Sequence, residues 1–429
     1  MIRDCTLIQE DFRGWKAYTL SNDLVRVVAV PDIGGRIMAY DLGEYSYLFV
    51  DPQLAGKLFS PEENQGDGSL AAWKNYGGDK TWPSPQGWDT EDQWHGPPDP
   101  ILDSGRYQVI EKTNNPETVS ITMLSPADPR TGIQITRRVS LQKGSSRVAF
   151  ELSFTNVSSQ VKHWSIWDVV QLQAQRQLSS GVLAPEHNCS VTFPLNKNSR
   201  FEQGYWVMFG AADNPQWKAD ANNGLFIADY QYEIGKIGAD SDAGWIAFSN
   251  AEQGYAFVAQ FQYLPTEEYP DRGSAVECWT VGKGKVANLD YEHSHIYLME
   301  TEVLSPLYTF TPGEMHKFHL AWGACRASGK ILDASEAGCT SERLTIQREG
   351  EGIRLSGIFG VFYQGKLVLT WLDSQSESFS SLILREVSPA ELVTLGILLQ
   401  PPKEACFVQL GVVAESDGNL RKLAESRLN

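Results

Sequence analysis

Residues 73–95 carry a dense set of side chains that could bind a ligand, in the sequence WKNYGGDKTWPSPQGWDTEDQWH. Indole rings stack on the apolar face of a sugar, while Asp, Asn, Lys and His exchange hydrogen bonds with hydroxyl groups. Glycines and prolines interrupt helix and strand patterns here, so we interpret the segment as a long, shaped loop. We expect Lys80, Trp82 and Trp88 to contact a sugar. The alternative is an indole-rich plug closing a sandwich, which is disfavoured because Asp79 and Lys80 would be costly to bury.

Two carboxylates are candidates for proton transfer. Glu277 lies in a predicted strand between Val276 and Cys278, where a carboxylate is costly to bury unless it is paired or catalytic. The alternative is that Glu277 faces solvent on an alternating strand. Asp79 follows two glycines, so a tight turn could present it to hydroxyl groups or, if burial raised its pKa, as an acid. Asp79 could equally stabilise the turn.

Two histidines, His95 and His163, are candidate general acids because imidazole titrates near neutral pH. His95 follows a tryptophan and His163 precedes one. The alternative to a catalytic role is therefore a packed imidazole ring with one hydrogen bond. Arg36 follows two glycines and is a candidate ligand for a sugar hydroxyl or an acidic substituent. These residues complete the set from which the chain could build an acid, a base and a binding surface.

Metal and cofactor chemistry has little support in the sequence. His293 and His295 share one strand face without an assured third ligand, and the six cysteines are far apart with no Cys-x-x-Cys spacing. We therefore predict reduced cysteines and no metal. The chain has no Gly-x-Ser-x-Gly motif, dinucleotide-binding glycine pattern or P-loop, so we predict no cofactor. Glu300 and Glu302 share the opposite face, which we expect to be solvated or at a site rim.

The 429 residues carry a formal net charge of −17, which disfavours nucleic acid or an anionic membrane as the main partner. The start of the chain lacks a basic region followed by an apolar run. No stretch of about 18 apolar residues occurs. We therefore expect a soluble, cytoplasmic protein with no nucleic-acid or membrane partner.

Short runs of alternating apolar and polar residues recur between turn residues, and helical patterning is almost absent before Ala327. These runs predict an all-β body over residues 1–328. Residues 340–429 contain about seven shorter runs and predict a small C-terminal β-sandwich of immunoglobulin-like size, although no Cys-Trp-Cys pattern is present. The C-terminal sandwich could cover a cleft or form the interface of a homodimer.

Four segments of the body follow one another in a recognisable order. They are VRVVAVPDIGGRIMAYDLGEYSYLF, then Asn75-Tyr76-Gly77-Gly78 followed by Trp82, then FTNVSSQVKHWSIWDVVQL, then SAVECWTVGKGKVANL with a later Pro-Gly-Glu turn. Their order resembles the galactose mutarotase (aldose 1-epimerase) superfamily over roughly residues 6–325. The resemblance implies a large two-sheet β-sandwich, or supersandwich, with a sugar site on a concave face.

The resemblance also implies roles for individual residues. Glu277 matches the family's general base, whereas Tyr76 stands where the family has a substrate-binding histidine. At the position of the family's acid histidine stands Trp167 or, with a slip of one residue, Asp168. Because one partner of the acid and base pair differs, mutarotation would require a replacement acid. Tyr76, Trp167 and Asp168 are expected to contact the sugar.

The resulting hypothesis is a carbohydrate-binding, aldose-1-epimerase-like protein that opens and recloses a sugar ring between residues 73–95 and Glu277. Glu277 would be the base, and Asp79, His163 or His95 the acid. Two alternatives stay open, namely a sugar-binding module without catalysis and a glycoside hydrolase using Asp79 and Glu277. Imidazole opposite Glu277 favours mutarotation, carboxyl groups about 5–10 Å apart favour hydrolysis, and neither favours binding alone.

Overall fold

The computed structural model of the chain describes residues 4–65, 72–90, 92–286, 289–290 and 296–428. Regular structure in these ranges is almost entirely β-strand, which confirms the all-β prediction. The exceptions are a 3-10 helix at Pro31–Ile33, the short helix α1 at Pro61–Gln65 and a turn at Pro270–Gly273. None of the helices in these ranges is long and apolar enough to span a membrane.

The strands in chain order are β1 (Thr6–Phe12), β2 (Trp15–Ser21), β3 (Val25–Val30), β4 (Arg36–Leu42), β5 (Tyr45–Ser46), β6 (Asp79–Ser84), β7 (Gln108–Asn114), β8 (Thr118–Leu124), β9 (Ile133–Gln142), β10 (Val148–Asn156), β11 (Lys162–Gln173), β12 (Gln175–Gln177), β13 (Leu183–Pro185), β14 (Cys189–Pro194), β15 (Trp206–Gly210), β16 (Trp217–Asp220) and β17 (Leu225–Asp229). They continue with β18 (Gly235–Ala239), β19 (Trp245–Asn250), β20 (Tyr255–Phe261), β21 (Val276–Thr280), β22 (Lys285–Val286), β23 (Leu289–Asp290), β24 (Leu298–Leu304), β25 (Tyr308–Phe310), β26 (Met315–Arg326), β27 (Asp333–Ser335), β28 (Gly338–Glu349), β29 (Gly352–Val361), β30 (Gly365–Leu372), β31 (Ser378–Val387), β32 (Val393–Leu399), β33 (Phe407–Ala414) and β34 (Leu420–Arg427).

Two large antiparallel sheets form the body. A twelve-stranded sheet has the order β1-β2-β3-β4-β6-β11-β24-β21-β18-β15, with β5 beside β4 and β25 beside β11. A ten-stranded sheet has the order β16-β17-β14-β19-β20-β26-β10-β9-β8-β7. Ile37 and Ile166 of the first sheet share one apolar core with Ile135 and Phe150 of the second. The two sheets therefore pack face to face as a β-sandwich.

The segment at residues 73–95 is not a loop throughout. Asp79–Ser84 forms β6, buried along its whole length between β4 and β11 in the middle of the twelve-stranded sheet. The loop prediction was wrong for these six residues because β6 is covered on both faces, and such strands show no alternation. The expectation that Asp79 and Lys80 are too costly to bury is also wrong. Both side chains are buried with ion-pair partners, and the attraction within each pair offsets the cost of removing the charges from water.

The strands after residue 332 form two further four-stranded sheets, with the orders β27-β28-β29-β32 and β31-β30-β33-β34. Their core includes Leu369 and Trp371 and continues into Trp245 and Val258 of the ten-stranded sheet. These sheets therefore pack on the side of the ten-stranded sheet that faces away from the twelve-stranded sheet. They do not form a lid over the twelve-stranded sheet. The division at residues 1–328 and 340–429 and the homodimer stay predictions.

Candidate functional site

Strand register places several candidate residues on one face of the twelve-stranded sheet. Directly opposed residues of antiparallel strands project to the same face, and successive residues project to opposite faces. Trp82 is opposite Trp167, and Glu277 is opposite Glu302, with continuous register through β11 and β24. Asp79 of β6 projects to the other face and contacts the ten-stranded sheet. We therefore call the face of Trp82 and Glu277 the outer face, and that of Asp79 the inner face.

An ammonium group joins two carboxylates on the outer face. Lys236 Nζ lies 2.6 Å from Glu277 Oε2 and 2.9 Å from Glu302 Oε2, and all three side chains are buried. The Trp167 ring centroid lies 4.4 Å from Nζ, and Trp167 Nε1 donates a 2.9 Å hydrogen bond to Glu302 Oε2. Burial disfavours the charged form of Lys236, but the two carboxylates outweigh burial and raise its pKa above the ordinary lysine value.

A second ion pair lies on the same face, nearer β6. Lys80 Nζ is 3.2 Å from Glu300 Oε1, which also accepts a 2.7 Å hydrogen bond from Gln171 Nε2. The Trp82 ring centroid lies 5.0 Å from Nζ. Burial lowers the pKa of Lys80, while Glu300 opposes that shift. The prediction that Glu300 and Glu302 form a solvated face is therefore wrong, because both side chains are buried in ion pairs.

The turn between β20 and β21 places a further carboxyl group beside Glu277. Asp271, Arg272 and Gly273 have φ angles of 49°, 62° and 94°, a left-handed run that is costly for the two residues with a Cβ. Asp271 Oδ2 accepts a 3.0 Å hydrogen bond from Ser84 Oγ, and its carboxyl group is within hydrogen-bond reach of Glu277. Two carboxyl groups can form such a bond only if one of them is protonated.

Burial sets the protonation of this carboxyl group cluster. It raises the pKa of Glu277 well above the ordinary value, and Asp271 and Glu302 raise it further while Lys236 lowers it. Burial also raises the pKa values of Asp271 and Glu302, with Lys236 opposing both shifts. The cluster therefore retains a proton at pH values where an exposed carboxyl group has lost it.

Some buried polar atoms of the outer face have no hydrogen-bond partner within the described structure when the carboxyl groups are ionised. They are Oε1 of Glu277, Glu302 and Gln171, and Nε1 of Trp82. The contact between Lys236 Nζ and Glu277 Oε2 is an ion pair without hydrogen-bond geometry. Buried unpaired polar atoms are rare and costly. These atoms therefore mark the outer face as a candidate site for a polar ligand.

Two half-buried indoles flank Glu277 toward the edge of the sheet. Trp206 of β15 is opposite Gly238, which in turn is opposite Glu277. A Cβ at Gly238 would lie 2.4 Å from Ser274 Oγ and 2.8 Å from Trp206 Nε1, so glycine permits this close approach. Trp279 follows Glu277 by two residues and projects to the same face. The two rings provide aromatic surface next to the carboxyl groups.

Asp79 and Asp168 lie on the inner face. Arg137 of β9 forms an ion pair with Asp79 and donates a 2.7 Å hydrogen bond to the carbonyl oxygen of Gly35. Burial raises the pKa of Asp168 well above its ordinary value, and Asp79 raises it further while Arg137 lowers it. The predicted pairing of Asp79 with Glu277 does not occur, because the sheet itself separates the two side chains.

Arg36 and Tyr76 are both fully buried. Arg36 forms an ion pair with Asp103 and donates a 3.0 Å hydrogen bond to the carbonyl oxygen of Gly77. Tyr76 packs edge-on against Trp15, with ring centroids 6.0 Å apart. Their expected contacts with a sugar stay predictions.

The two candidate histidines lie apart from Glu277. His163 is exposed, and its Nδ1 is 3.1 Å from Thr309 Oγ1. His95 stacks on Trp88 with ring centroids 4.2 Å apart, and the Trp88 side chain is 62% exposed. Among the contacts of the described residues, neither imidazole reaches Glu277. The carboxyl group of Asp271, by contrast, is within hydrogen-bond reach of Glu277.

The predicted absence of a metal stays a prediction. His293 and His295 lie outside the described residues. Within the described ranges, no three or more metal-binding side chains come together in a suitable cluster. Lys236 Nζ occupies the position between the converging carboxylates of Glu277 and Glu302.

Sequence reasoning missed Lys236, Asp271 and Trp206. Lys236 follows a glycine in the short strand β18, and Asp271 lies in a connecting turn. The available signal was charge, because a carboxylate buried at Glu277 requires a cation. Only the register of β18 against β21 identifies which lysine supplies it.

Comparison with protein families identifies the chain's own family. Residues 16–324 match the model described as Domain of unknown function (DUF4380), and the chain belongs to this family. No curated protein matches the sequence.

Comparison with solved structures finds similar proteins of the mutarotase group. A candidate mutarotase from Salmonella typhimurium has 10% identity and a TM-score of 0.46, covering 75% of this chain and 94% of that chain. A galactose mutarotase-like protein from Clostridium acetobutylicum has 12% identity and a TM-score of 0.45, covering 75% and 99%. Another from Lactobacillus casei has 11% identity and a TM-score of 0.43, covering 72% and 99%. These similarities concern the fold and say nothing of ligand or activity.

Proposed function

We propose that the chain binds a sugar on the outer face and interconverts its anomers by proton transfer to and from Asp271 and Glu277. One observation carries the proposal, namely the buried carboxyl group of Glu277 and the half-buried carboxyl group of Asp271, which are within hydrogen-bond reach of each other beside indole rings. A carboxyl pair that shares one proton contains an acid and a base at once. Opening a hemiacetal ring needs both, because one oxygen loses a proton while the other gains one.

The proton movements balance without a cofactor. The ionised carboxyl group takes the proton of the anomeric hydroxyl, the bond from the anomeric carbon to the ring oxygen breaks, and the protonated carboxyl group protonates that oxygen. The open-chain aldehyde rotates about its first carbon–carbon bond, and both transfers then run in reverse. Because burial raises the pKa of Glu277 well above its ordinary value, Glu277 donates during opening and Asp271 accepts. Glu277 is then the base during closure, whereas the sequence resemblance implies that it takes the anomeric hydroxyl proton during opening, a step that this proposal assigns to Asp271.

Close contact between the carboxyl groups disfavours glycoside hydrolysis. Hydrolases keep their carboxyl groups about 5–10 Å apart, which leaves room for the anomeric carbon or for a water molecule. Asp271 and Glu277 are within hydrogen-bond reach, and Asp79 lies on the inner face. Ring opening suits a close pair better, because the two oxygens that exchange protons are bonded to the same carbon.

Proton NMR of anomer interconversion tests the proposal. Freshly dissolved α anomers of glucose and galactose are expected to equilibrate faster with the wild-type protein. Glu277→Gln is expected to reduce that acceleration by about 10²–10⁴-fold, the usual contribution of a general acid or base. Glu151→Gln is the matched control, since Glu151 forms an exposed ion pair with Lys317 on the ten-stranded sheet.

Two other outcomes separate the alternatives. Broadening of the sugar resonances without faster interconversion would replace the enzyme with a sugar-binding module. If neither broadening nor acceleration occurred with any aldose, the outer face would not be a sugar site.

A further inference from the structure

The outer face carries more negative than positive groups. Around Glu277 the described structure gathers four carboxyl groups, those of Asp271, Glu277, Glu300 and Glu302, against the ammonium groups of Lys80 and Lys236 and the Arg272 guanidinium, which lies over the Trp206 ring. Both ammonium groups are already engaged, Lys236 by two carboxylates and Lys80 by one. Neither buried ammonium group is available to an anion, and the Arg272 guanidinium lies at the exposed edge over Trp206, so the buried part of the face can accommodate additional positive charge.

The buried polar atoms of the outer face that have no hydrogen-bond partner in the described ranges also favour a positively charged ligand. Three of them are acceptors, Oε1 of Glu277, Glu302 and Gln171, and one is a donor, Nε1 of Trp82. All four side chains are at least nine-tenths buried. A ligand that satisfies these atoms must therefore donate more hydrogen bonds than it accepts. An ammonium group, which donates three hydrogen bonds and accepts none, fits this pattern.

The face already shows how it stabilises ammonium groups. Lys236 Nζ lies between two carboxylates and 4.4 Å from the Trp167 ring centroid, and Lys80 Nζ lies beside Glu300 and 5.0 Å from that of Trp82. Each cation is thus held by carboxylate oxygen and by the negative face of an indole. A ligand cation would meet the same combination of groups.

We propose that the sugar bound here is an amino sugar with a protonated amine, held by the free Oε1 atoms of Glu302 and Gln171. This inference rests on the proposed function, in which Asp271 and Glu277 act at the anomeric centre. Gln171 is opposite Glu300, and Glu302 lies two residues further along the same face, so Gln171 and Glu302 are diagonal neighbours within reach of one ammonium group. Neutral sugars bind more weakly, and sugars bearing a carboxylate or phosphate are repelled.

Isothermal titration calorimetry with matched sugars tests this inference. The probes are galactosamine, galactose, N-acetylgalactosamine and galacturonate, together with the corresponding set in the glucose configuration. N-acetylation keeps the nitrogen but removes its charge, so it isolates the effect of the ammonium group. We expect the amine to bind about tenfold or more tightly than the neutral sugars, as a charge-assisted hydrogen bond would give.

Variants locate the charge that is responsible. Glu302→Gln is expected to reduce the preference for the amine over the N-acetyl sugar by about tenfold. Glu151→Gln is expected to leave it unchanged, because that carboxylate is exposed on the other sheet. The wild-type comparison stands by itself if Glu302→Gln fails to fold.

The outcomes distinguish this inference from the proposal on which it rests. Equal affinity for the amine and the neutral sugars would overturn the amino-sugar assignment and leave the sugar site in place. Binding of galacturonate more tightly than galactosamine would also overturn the assignment. Failure of every sugar to bind would overturn both.

Discussion

The two faces of the twelve-stranded sheet use neighbouring residues of the same strands in different ways. On the inner face, Asp79 pairs with Arg137, which belongs to the other sheet. On the outer face, Lys80 pairs with Glu300, which belongs to the same sheet. The inner ion pair therefore ties the two sheets together, whereas the outer one joins strands that backbone hydrogen bonds already hold. From this difference we expect the inner cluster to matter chiefly for stability and the outer cluster chiefly for the proposed ligand.

The largest expected effect is on the inner face. Arg137→Met would leave Asp79 buried without its cation, and breaking a buried pair from one side costs about 3–5 kcal/mol. We expect that loss in the free energy of unfolding, measured by urea denaturation. An unchanged urea midpoint would show that the inner cluster does not join the sheets.

Gly238→Ala should have an intermediate effect, on the outer face. The added Cβ would lie 2.4 Å from Ser274 Oγ and 2.8 Å from Trp206 Nε1, so the indole must move. We expect a stability loss of about 1–3 kcal/mol, typical of overpacking, and weaker sugar binding in calorimetry. Gly396→Ala is the control, since a Cβ there meets nothing within 4 Å. Unchanged sugar affinity in Gly238→Ala would exclude Trp206 from the binding surface.

The pH dependence of stability should report the titration of Asp168 on the inner face. Because burial raises the pKa of Asp168 in the folded state, its contribution to stability is present below the unfolded pKa and is lost as pH rises through the folded pKa. Asp168→Asn removes this titration, so its stability relative to wild type should increase with pH by at most about 1.4 kcal/mol per pH unit. Urea unfolding between pH 4 and neutrality measures the slope.

Asp417→Asn is the control of opposite sign. Arg421 lowers the pKa of Asp417, so the stability that Asp417 contributes is present above the unfolded pKa and is lost as pH falls through the folded pKa. Asp417→Asn should therefore lose stability relative to wild type as pH rises toward the unfolded value of about 3.9, so urea unfolding of this control is measured below pH 4. If both variants gave slopes of the same sign, the assignment of raised and lowered pKa values would be wrong.

The smallest effect is expected for an exposed ion pair. Arg354 Nη2 lies 2.7 Å from Glu349 Oε2 at the surface of the C-terminal sheets. Arg354→Gln should change the free energy of unfolding by about 0–1 kcal/mol, because solvent screens such pairs. A loss as large as that of Arg137→Met would remove the contrast between buried and exposed pairs.

The sequence predicted the all-β sandwich because alternation and turn residues survive in strands with one covered face. Alternation is plain in β9, where buried and partly exposed positions follow each other. It fails in β6, which is covered on both faces and carries Asp79 and Lys80. A central strand with internal ion pairs has no periodicity from which to recognise it, so sequence reasoning took it for a loop.

The candidate site was only partly predictable for a related reason. Trp82, Trp167 and Glu277 were singled out, and the structure places them on one face. Lys236 and Asp271 depend on the register of β18 and on a left-handed turn, neither of which leaves a local pattern. Long-range pairing of this kind follows from three-dimensional contacts.

The most direct test measures stability and anomer interconversion together in Glu277→Gln and Asp79→Asn. In Glu277→Gln, Lys236 keeps Glu302 as its partner. We therefore expect a urea midpoint near that of wild type with interconversion slowed by about 100-fold or more. In Asp79→Asn we expect a lower midpoint, with interconversion per folded molecule within about twofold of wild type, since the inner face takes no part in the chemistry. The reverse result, with interconversion lost in Asp79→Asn and kept in Glu277→Gln, would contradict the division of roles between the two faces.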